Sequence, residues 1–361
     1  MAAPQSKSPQ HSTLGFGIIG SGMIARFHAR AINGAQGARL VGVASRNAET
    51  AQTLAAEHGA ALHTTQLDEL LAHPGLDVVC ITTPSGAHLE PALAAIAAGK
   101  HLVIEKPLEI TPARIDSLLA AAQSAGVVVA PIFQARFGQN AQRIKAAISS
   151  GRFGRIALAS AYVKWFRAAE YYSGWKGTRL LDGGGATMNQ SIHAVDLLQW
   201  FAGMPAEVFG RTTRRVHLGI ECEDTAVASL RYADGALGTI EASTAAYPGW
   251  ERRIEICGEH GSVALEDDTI TRWDFRHAQP EDAAIRAAGA SGGGSGASDP
   301  SAITHERHQL QIQNLVDHLL AQREGRAPQP LGIDGPEARK AVSLICALYE
   351  SAATGRPVTP A

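Results

Sequence analysis

Five short apolar runs, separated by longer alanine-rich stretches, dominate the first third of the chain. They are LGFGIIG (14–20), RLVGVA (39–44), VVCIT (78–82), HLVIE (101–105) and VVVAP (127–131). Continuous apolar strands that alternate with helices are typical of a parallel sheet covered by helices on both faces. The pattern predicts a doubly wound α/β domain over residues 14–133, preceded by a flexible segment at 1–13.

The rest of the chain has a different pattern, and 361 residues exceed what one hydrophobic core usually serves. Residues 155–165 and 223–243 alternate apolar and polar side chains, and Asp234-Gly235 is a strong hairpin signal. We therefore expect a second domain over 134–361, an open and mainly antiparallel sheet flanked by helices. Its Gly- and Ser-rich stretch at 279–301 predicts a mobile loop, followed by C-terminal helices that are able to pack on the first domain.

The overall composition restricts the classes of partner. The chain has 32 Lys and Arg against 34 Asp and Glu, a formal charge of -2, with no block of like charge for nucleic acid. No apolar run reaches the length of a membrane span, and the four cysteines show neither metal-binding nor disulfide spacing. We expect a cytoplasmic protein without a metal site that acts on a small molecule.

A glycine-rich turn follows the first apolar run. Gly20-x-Gly22-x-x-Ala25 provides a tight turn, room for a pyrophosphate to approach the backbone, and a small residue for close helix packing. The helix that starts there offers free N–H groups to the phosphates. This predicts a dinucleotide site of the Rossmann type that includes Met23 and Ile24.

The end of the second run bears on the choice between NAD and NADP. An NAD site usually has an Asp or Glu there for the ribose hydroxyls, whereas this chain has Ser45 and Arg46. A hydroxyl beside a guanidinium suits a 2′-phosphate, which favours NADP over NAD. Arg46 is equally able to stack on adenine or point into solvent.

Polar residues also follow two later runs, at the sheet edge where ligands of open α/β sheets bind. Thr83, Pro84 and His88 follow VVCIT, where Thr83-Pro84 is also explained by a plain strand stop. Glu105-Lys106-Pro107 follows HLVIE. A lysine at the end of a buried strand is costly unless it faces a cleft, so Lys106 is expected at the site.

These motifs, together with a GGG-led helix that carries His193, resemble the glucose-fructose oxidoreductase / inositol dehydrogenase (Gfo/Idh/MocA) family over residues 14–357. The resemblance implies hydride transfer between nicotinamide and a sugar or polyol hydroxyl. It assigns Lys106 to the reacting hydroxyl and His193 to catalysis. Many members have an aspartate where this chain has Asn189.

The segment EYYSGWKGTRLLDGGGATMNQSIHAVDLLQW (170–200) is similar to the WlbA-like branch of UDP-N-acetylglucosaminuronate 3-dehydrogenases. Asn189 then belongs to the pattern of that branch, where it is expected to orient His193 or the substrate. Ser45-Arg46 departs from the branch, whose members tend to have an acid at that position.

The chemistry of alcohol oxidation assigns roles to two side chains. His193 has an ordinary pKa that suits proton transfer near neutral pH, and Lys106 is able to stabilise a developing alkoxide. Lys106 becomes the base instead if burial depresses its pKa. On a helical wheel, one narrow polar stripe contains Asn189, His193, Asp196 and Trp200. The stripe predicts a helix edge on a wet cleft, and packing or hydrogen bonding is the alternative for Asp196 and Trp200.

Substrate contacts are expected from two further segments. The loop before the glycines mixes flat faces and cations that suit a sugar with an acidic or phosphate group, in Tyr171, Tyr172, Trp175, Lys176 and Arg179. The same residues also suit an aromatic cluster that anchors a loop. Gln134 and Arg136, between the domains, either contact substrate or join the domains.

The sequence predicts an NAD(P)-dependent sugar dehydrogenase, with a nucleotide-linked or acidic hexose as a possible substrate class. Two alternatives stay open: an NAD-dependent glycosidase of the same fold, and a dinucleotide-binding sensor or scaffold without activity. An exposed antiparallel sheet face favours a homodimer or homotetramer, by analogy with the family.

Overall fold

The computed structural model describes residues 13–288 and 305–361. The first domain contains one six-stranded parallel sheet with the order β3-β2-β1-β4-β5-β6, which is the Rossmann arrangement. Its strands are β1 (Leu14–Ile19), β2 (Ala38–Ala44), β3 (Leu62–Thr64), β4 (Val78–Ile81), β5 (His101–Ile104) and β6 (Val129–Pro131). The predicted doubly wound domain is confirmed, although β3, a three-residue strand with two polar residues, has no apolar run to reveal it.

Helices cover both faces of this sheet because its strands are apolar on both sides. They are α1 (Met23–Gly34), α2 (Ala48–His58), α3 (Leu67–Leu71), α4 (Leu89–Ala97) and α5 (Pro112–Ala125). Asn47 and Thr111 cap the starts of α2 and α5 with side-chain oxygens, and glycines in the left-handed conformation end both helices.

The second domain is built on a seven-stranded sheet with the order β13-β12-β11-β7-β10-β9-β8. All neighbours are antiparallel except β7 and β10. The strands are β7 (Ile156–Lys164), β8 (Glu207–Thr213), β9 (Thr225–Arg231), β10 (Leu237–Ser243), β11 (Arg253–Gly258), β12 (Gly261–Glu266) and β13 (Thr269–Phe275). The mainly antiparallel sheet and the hairpin at Asp234-Gly235 are as predicted.

Helices pack on one face of this sheet, and one helix returns to the first domain. The remaining helices are α6 (Gln139–Ser149), α7 (Ile192–Ala202), α8 (Asp282–Ala288), α9 (Glu306–Arg323) and α10 (Gly335–Thr354). Helices α7 and α10 lie on the large sheet, whereas α9 packs against α1. Leu315 and Val316 of α9 are buried in the same cluster as Phe16 of β1.

The structure describes only part of the two segments that the sequence predicts to be flexible. The predicted loop at 279–301 is wrong at its start, because α8 forms there and Asp282 bonds to Arg152 and Trp273. Residues 289–304 lie outside the described residues, as do residues 1–12 of the N-terminal segment. Among the described helices, none has the length and apolar character needed to cross a membrane.

Candidate functional site

A cavity of about 790 Å³ lies between the carboxyl ends of the parallel strands and the second domain. Most of the predicted site residues line it: Gly20, Gly22, Met23, Ile24, Ser45, Arg46, Thr83, Pro84, Glu105, Lys106, Gln134, Trp175, Lys176, Asn189 and His193. The fold brings these residues together because strands β1, β2, β4 and β5 all end at this edge. The π-helical turn Ala186–Ser191 and α7 face them from the second domain.

The glycine turn at the end of β1 has the geometry of a dinucleotide site. Gly20 has a φ of +111°, and a Cβ there would lie 2.5 Å from Thr82 Oγ1, so the turn requires glycine. A Cβ on Gly22 would meet no atom of the described residues within 4 Å and would project into open space. Gly22 starts α1 without a side-chain cap, which leaves N–H groups of the first turn available for an anion. The turn therefore fits a pyrophosphate.

Hydroxyl groups gather at the end of β2. Ser21 Oγ lies 2.7 Å from Ser45 Oγ and 2.6 Å from Thr50 Oγ1. Arg46 lines the cavity beside them, and no carboxylate is among the lining residues at this strand end. This corner offers hydroxyls and one cation to the ribose side of a dinucleotide.

A buried carboxylate lies behind the end of β5. His28 Nε2 is 2.8 Å from Glu105 Oε1, and the backbone N–H of Lys106 donates to Oε2 at 3.0 Å. His308, from α9, places Nε2 3.5 Å from Oε1. Together the histidines hold the pKa of Glu105 well below its usual range despite burial, so the carboxylate is ionised beside the cavity.

Lys106 links the two domains across the cavity. Its Nζ donates to the backbone carbonyl of Asn189 at 3.0 Å. Burial lowers the pKa of Lys106, while the carboxylates of Glu105 and Asp182 oppose this shift. The ammonium is therefore held in place and is easier to deprotonate than an exposed lysine.

His193 is the second titratable group between the domains. Its Nδ1 is buried and has no hydrogen-bond partner among the described residues, and its ring packs edge-on against Phe133. Nε2 is therefore the ring nitrogen available to the cavity. Burial, with the charges of Lys106 and Arg252, places the pKa of His193 well below its ordinary value, so the imidazole is neutral at pH 7.

The segment that presents His193 differs from the predicted regular helix. Residues Ala186–Ser191 form a π-helical turn, and α7 begins at Ile192. Glu223 holds this turn because its carboxylate accepts the backbone N–H groups of Gly185 (3.1 Å) and Thr187 (2.8 Å). The glycines are needed for close approach, since a Cβ on Gly185 would lie 1.9 Å from the carbonyl oxygen of Glu223.

The π-turn also shortens the predicted polar stripe on the helix. Asn189 and His193 line the cavity, but Asp196 does not. Asp196 is fully buried and accepts two hydrogen bonds from Arg136, at 2.8 and 2.7 Å. Of the two explanations for Asp196, the structure supports hydrogen bonding inside the domain, and the wet edge is limited to Asn189 and His193.

The substrate-domain wall carries cations and aromatic rings. Lys176 Nζ lies 3.8 Å from the centre of the Tyr171 ring, and Arg167 lies 5.5 Å from it. Trp175 lines the same region, as does Gln134, whose Oε1 is buried without a partner in the described structure. This wall is suited to an anionic ligand with a flat or ring-shaped part.

Four predicted site residues do not line the cavity. Arg136 is buried in its pair with Asp196, and Arg179 is exposed, with only its backbone N–H bound to Glu221. The hydroxyl of Tyr172 donates to Thr244 at 2.6 Å. Arg136 and Tyr172 bond to partners inside the domain, whereas the side chain of Arg179 is exposed to solvent.

The fourth correction concerns His88. Its ring nitrogens lie 2.9 Å from the carbonyl oxygen of Pro107 and 3.0 Å from that of Thr83, and its side chain is buried. His88 therefore holds two cavity loops together instead of facing a ligand.

Several cavity residues carry no assignment in the sequence analysis. They are Ser21, Trp165, Arg167, Gln190 and His308. Gln190 lies inside the segment 170–200, next to Asn189 in its motif, whereas the expected loop residue Tyr171 does line the cavity. His308 comes from α9, far along the chain, and its sequence context gives no signal of the cavity.

Family models match both halves of the chain. A model described as oxidoreductase family, NAD-binding Rossmann fold matches residues 14–133, and the GFO/IDH/MocA C-terminal domain matches residues 141–264. The chain belongs to the Gfo/Idh/MocA family. Its doubly wound first domain and open second sheet are those that the resemblance implies.

Relatives within the Gfo/Idh/MocA family include enzymes of sugars and polyols. The chain is 30% identical to 1,5-anhydro-D-fructose reductase of Ensifer adhaerens, over 69% of this chain and 74% of that protein. It is 27% identical to inositol 2-dehydrogenase of Rhizobium meliloti, over 71% and 76%. The WlbA dehydrogenase of Bordetella pertussis, solved with NADH and UDP-GlcNAcA, superposes with a TM-score of 0.87 at 33% identity, covering 96% of this chain and 97% of that one.

These matches establish the general activity class of this Gfo/Idh/MocA protein. It is an oxidoreductase with an NAD-binding Rossmann domain, in a family with dehydrogenases of sugars and polyols. A nicotinamide cofactor, when bound, supplies the hydride acceptor or donor of such reactions.

Proposed function

We propose that this protein oxidises a secondary hydroxyl of an acidic or nucleotide-linked hexose, with NADP or NAD as the cofactor. One observation carries the proposal: Lys106 and His193 line the same cavity as the glycine turn, and Lys176 and Arg167 line its substrate-domain wall. The reacting groups and the anion-binding groups are thus on one continuous surface.

His193 is the base in this proposal. Its pKa lies well below the ordinary value, so the ring is neutral and free to accept a proton at Nε2. Lys106 lies beside it, fixed by the Asn189 carbonyl at 3.0 Å, and stabilises the alkoxide by charge and hydrogen bond. The lowered pKa of Lys106 keeps the reverse assignment open to test, with the amine as base.

The cations of the substrate-domain wall favour an anionic sugar. Lys176 stacks on Tyr171, which fixes the ammonium beside an aromatic face. An acidic or phosphate group binds such a pair more strongly than a hydroxyl does. The WlbA neighbour was solved with UDP-GlcNAcA, which makes that sugar nucleotide the first probe for this chain.

The hydroxyls at the end of β2 support NADP as the preferred cofactor. The hydroxyl of Ser21 is hydrogen-bonded to those of Ser45 and Thr50, with Arg46 at the same corner. A phosphate accepts hydrogen bonds from the cavity-lining Ser21, Ser45 and Arg46, and among the described residues no lining carboxylate repels it at this corner.

The outer face of the large sheet supports assembly into a homodimer or homotetramer. Leu158 and Leu237 are neighbours on β7 and β10, with exposed fractions of 40% and 55%. Large apolar side chains side by side on an uncovered sheet favour self-association. Light scattering on the wild type and on a Leu158→Glu, Leu237→Glu variant tests this, with a smaller particle expected for the variant.

The location proposed for the protein is the cytoplasm. Its four cysteines are free, and Cys80 and Cys222 are buried. Such thiols suit a reducing compartment.

Turnover with UDP-GlcNAcA tests the proposed activity. The purified protein is incubated with the sugar nucleotide and NAD or NADP, and reduced cofactor is followed by absorbance. We expect reduced cofactor and a keto-sugar in equal amounts. Cleavage of a glycosidic bond without net reduction would instead indicate the glycosidase chemistry, and dinucleotide binding without turnover on a panel of acidic and neutral sugars would indicate a sensor.

A further inference from the structure

A chain of side-chain hydrogen bonds runs through the substrate-domain wall and ends at Asp182. Arg167 Nε donates to Gln190 Oε1 at 2.9 Å, and Gln190 Nε2 donates to Asn189 Oδ1 at 2.6 Å. Asn189 Nδ2 then donates to Asp182 Oδ1, and the other oxygen of Asp182 accepts the Gly177 N–H at 2.7 Å. Asp182 is buried, with an exposed fraction of 1%, and does not line the cavity itself.

The direction of this chain depends on the two groups at its ends. An amide donates from one side and accepts on the other, so Asn189 and Gln190 would each be able to turn over without a fixed neighbour. Arg167 only donates, and an ionised Asp182 only accepts. With a donor at one end and an acceptor at the other, both amides have a single orientation.

The same carboxylate acts on the charges at the cavity. Asp182 raises the pKa of Lys106 and of Lys176, against the effect of burial. Lys106 is also held by the backbone carbonyl of Asn189, whose side chain bonds to Asp182. Asp182 therefore acts on Lys106 in two ways. Its charge favours the ammonium form, and its hydrogen bond holds Asn189, whose backbone carbonyl binds Lys106.

We propose that Asp182 is a positioning residue of the reaction, which orients the Asn189 and Gln190 amides toward the cavity and keeps Lys106 in place as a cation. This inference rests on the proposed function for its kinetic part. Its electrostatic part concerns Lys106 alone and needs no substrate.

Exchanging the side chains of Asp182 and Asn189 distinguishes the effect of the hydrogen-bond pattern from the effect of the charge. In the wild-type protein both oxygens of Asp182 accept hydrogen bonds. In Asp182→Asn one of these oxygens is replaced by NH₂, a donor, which then faces another donor, either the Gly177 N–H or Asn189 Nδ2. In Asp182→Asn combined with Asn189→Asp, the new amide accepts from Gly177 and donates to the new carboxylate. That carboxylate accepts from Gln190 and Tyr171, so the donors of Gly177, Gln190 and Tyr171 keep their acceptors and the charge stays near Lys106.

The experiment measures turnover and the pKa of Lys106 in the full-length protein. Lys106 is labelled with acetic anhydride over a pH series and quantified by mass spectrometry of its peptide. We expect Asp182→Asn to lower kcat by roughly 10- to 100-fold with unchanged dinucleotide affinity, and to lower the pKa of Lys106. The double variant is expected to recover most of the lost kcat and most of the fall in the pKa of Lys106.

Glu223→Gln is the matched control for the labelling. It removes another buried carboxylate of the same segment, one that bonds to the π-turn and not to Asn189. We expect the pKa of Lys106 to stay at its wild-type value in this variant. An equal fall in Glu223→Gln and Asp182→Asn would overturn the electrostatic part.

The proposal is overturned if Asp182→Asn leaves both kcat and the pKa of Lys106 unchanged. It is also overturned if the double variant folds but is as inactive as the single one. Should Asp182→Asn not fold, the double variant decides in the same way. A wild-type protein without sugar-dehydrogenase activity refutes the proposed function, whereas the labelling result then still decides the role of Asp182.

Discussion

The two walls of the cavity recognise ligands by different means. The Rossmann wall presents backbone, small side chains and hydroxyls, with Gly22 open to the cavity. The wall formed by the second domain presents Arg167, Gln190 and Asn189, whose hydrogen-bonded network ends at Asp182 behind the cavity surface. Backbone recognition tolerates many sequences around a few glycines, whereas a network functions only when every member has its partner.

This difference predicts where substitutions act. Lys106 belongs to the Rossmann wall but takes part in the proposed reaction. At the other positions, changes in the Rossmann wall are expected to alter cofactor binding, and changes in the opposite wall to alter turnover. An opposite outcome in either wall would break the comparison.

The largest effect is expected at His193. Replacing it with Ala removes the proposed base, so kcat should fall by about 10²- to 10⁴-fold while the dissociation constant of the dinucleotide stays the same. Stopped-flow turnover and dinucleotide titration measure the two quantities. The exposed His63 of β3 is the control, and His63→Ala should change neither. Wild-type turnover in His193→Ala would transfer the role of base to Lys106.

The stability of the network should depend on pH through Asp182. Burial raises its pKa to about 6, so folding favours the protonated form. The folded protein therefore loses stability as pH rises from the unfolded pKa near 4 to about 6, by up to roughly 3 kcal/mol. Asp182→Asn has no such titration.

Chemical denaturation of both proteins between pH 4 and pH 7 checks this prediction. The free energy of unfolding of Asp182→Asn, minus that of the wild type, should increase with pH over this range. The groups that interact electrostatically with the carboxylate are common to both proteins: Lys106, Lys176, Tyr171, Tyr172 and Cys222. A difference independent of pH would show that Asp182 titrates normally.

Substitutions at two glycines of the Rossmann wall should have different effects, one on stability and the other on dinucleotide binding. Gly20→Ala forces a side chain into a positive φ next to Thr82, so the free energy of unfolding should fall by about 1–3 kcal/mol. Gly22→Ala adds a methyl that meets no atom of the described residues, so stability should barely change. The dinucleotide should bind Gly22→Ala roughly tenfold more weakly, because the methyl occupies the ligand's space. Calorimetry measures both, and equal losses of stability would contradict this distinction.

The smallest effect is expected at Arg46. Arg46→Ala should raise the KM for NADP by about tenfold, the value of one charge-assisted hydrogen bond, and leave that for NAD unchanged. Initial rates with each cofactor give the ratio. The exposed Arg30 on α1 provides the control substitution. Equal effects on both cofactors would place Arg46 at the adenine instead of at a phosphate.

The sequence was sufficient for the parts of the site that follow from local geometry. The glycine turn, Lys106 and the strand ends lie where the apolar runs stop, because parallel strands end at a common edge. It failed for arginine and tyrosine side chains such as Arg136 and Tyr172, which are paired inside the domain. A buried ion pair and a ligand-binding arginine look the same in sequence, since the partner is far along the chain.

The network was missed for a related reason. Asp182 stands directly before the glycines, but its role depends on the π-turn that brings Asn189 back toward it. No periodicity predicts such a turn. Likewise, His308 reaches the cavity only because α9 packs against α1.

Helix α9 also determines when the first domain is able to finish folding. Ile312, Leu315, Val316 and Leu319 fill the same apolar cluster as Leu14 of the first strand, about three hundred positions earlier. During synthesis the first domain leaves the ribosome with its α9-binding apolar surface exposed. This surface is covered only after the second domain and α9 have been translated. A chain interrupted before α9 would thus have an unfinished nucleotide-binding domain, however complete its Rossmann strands are.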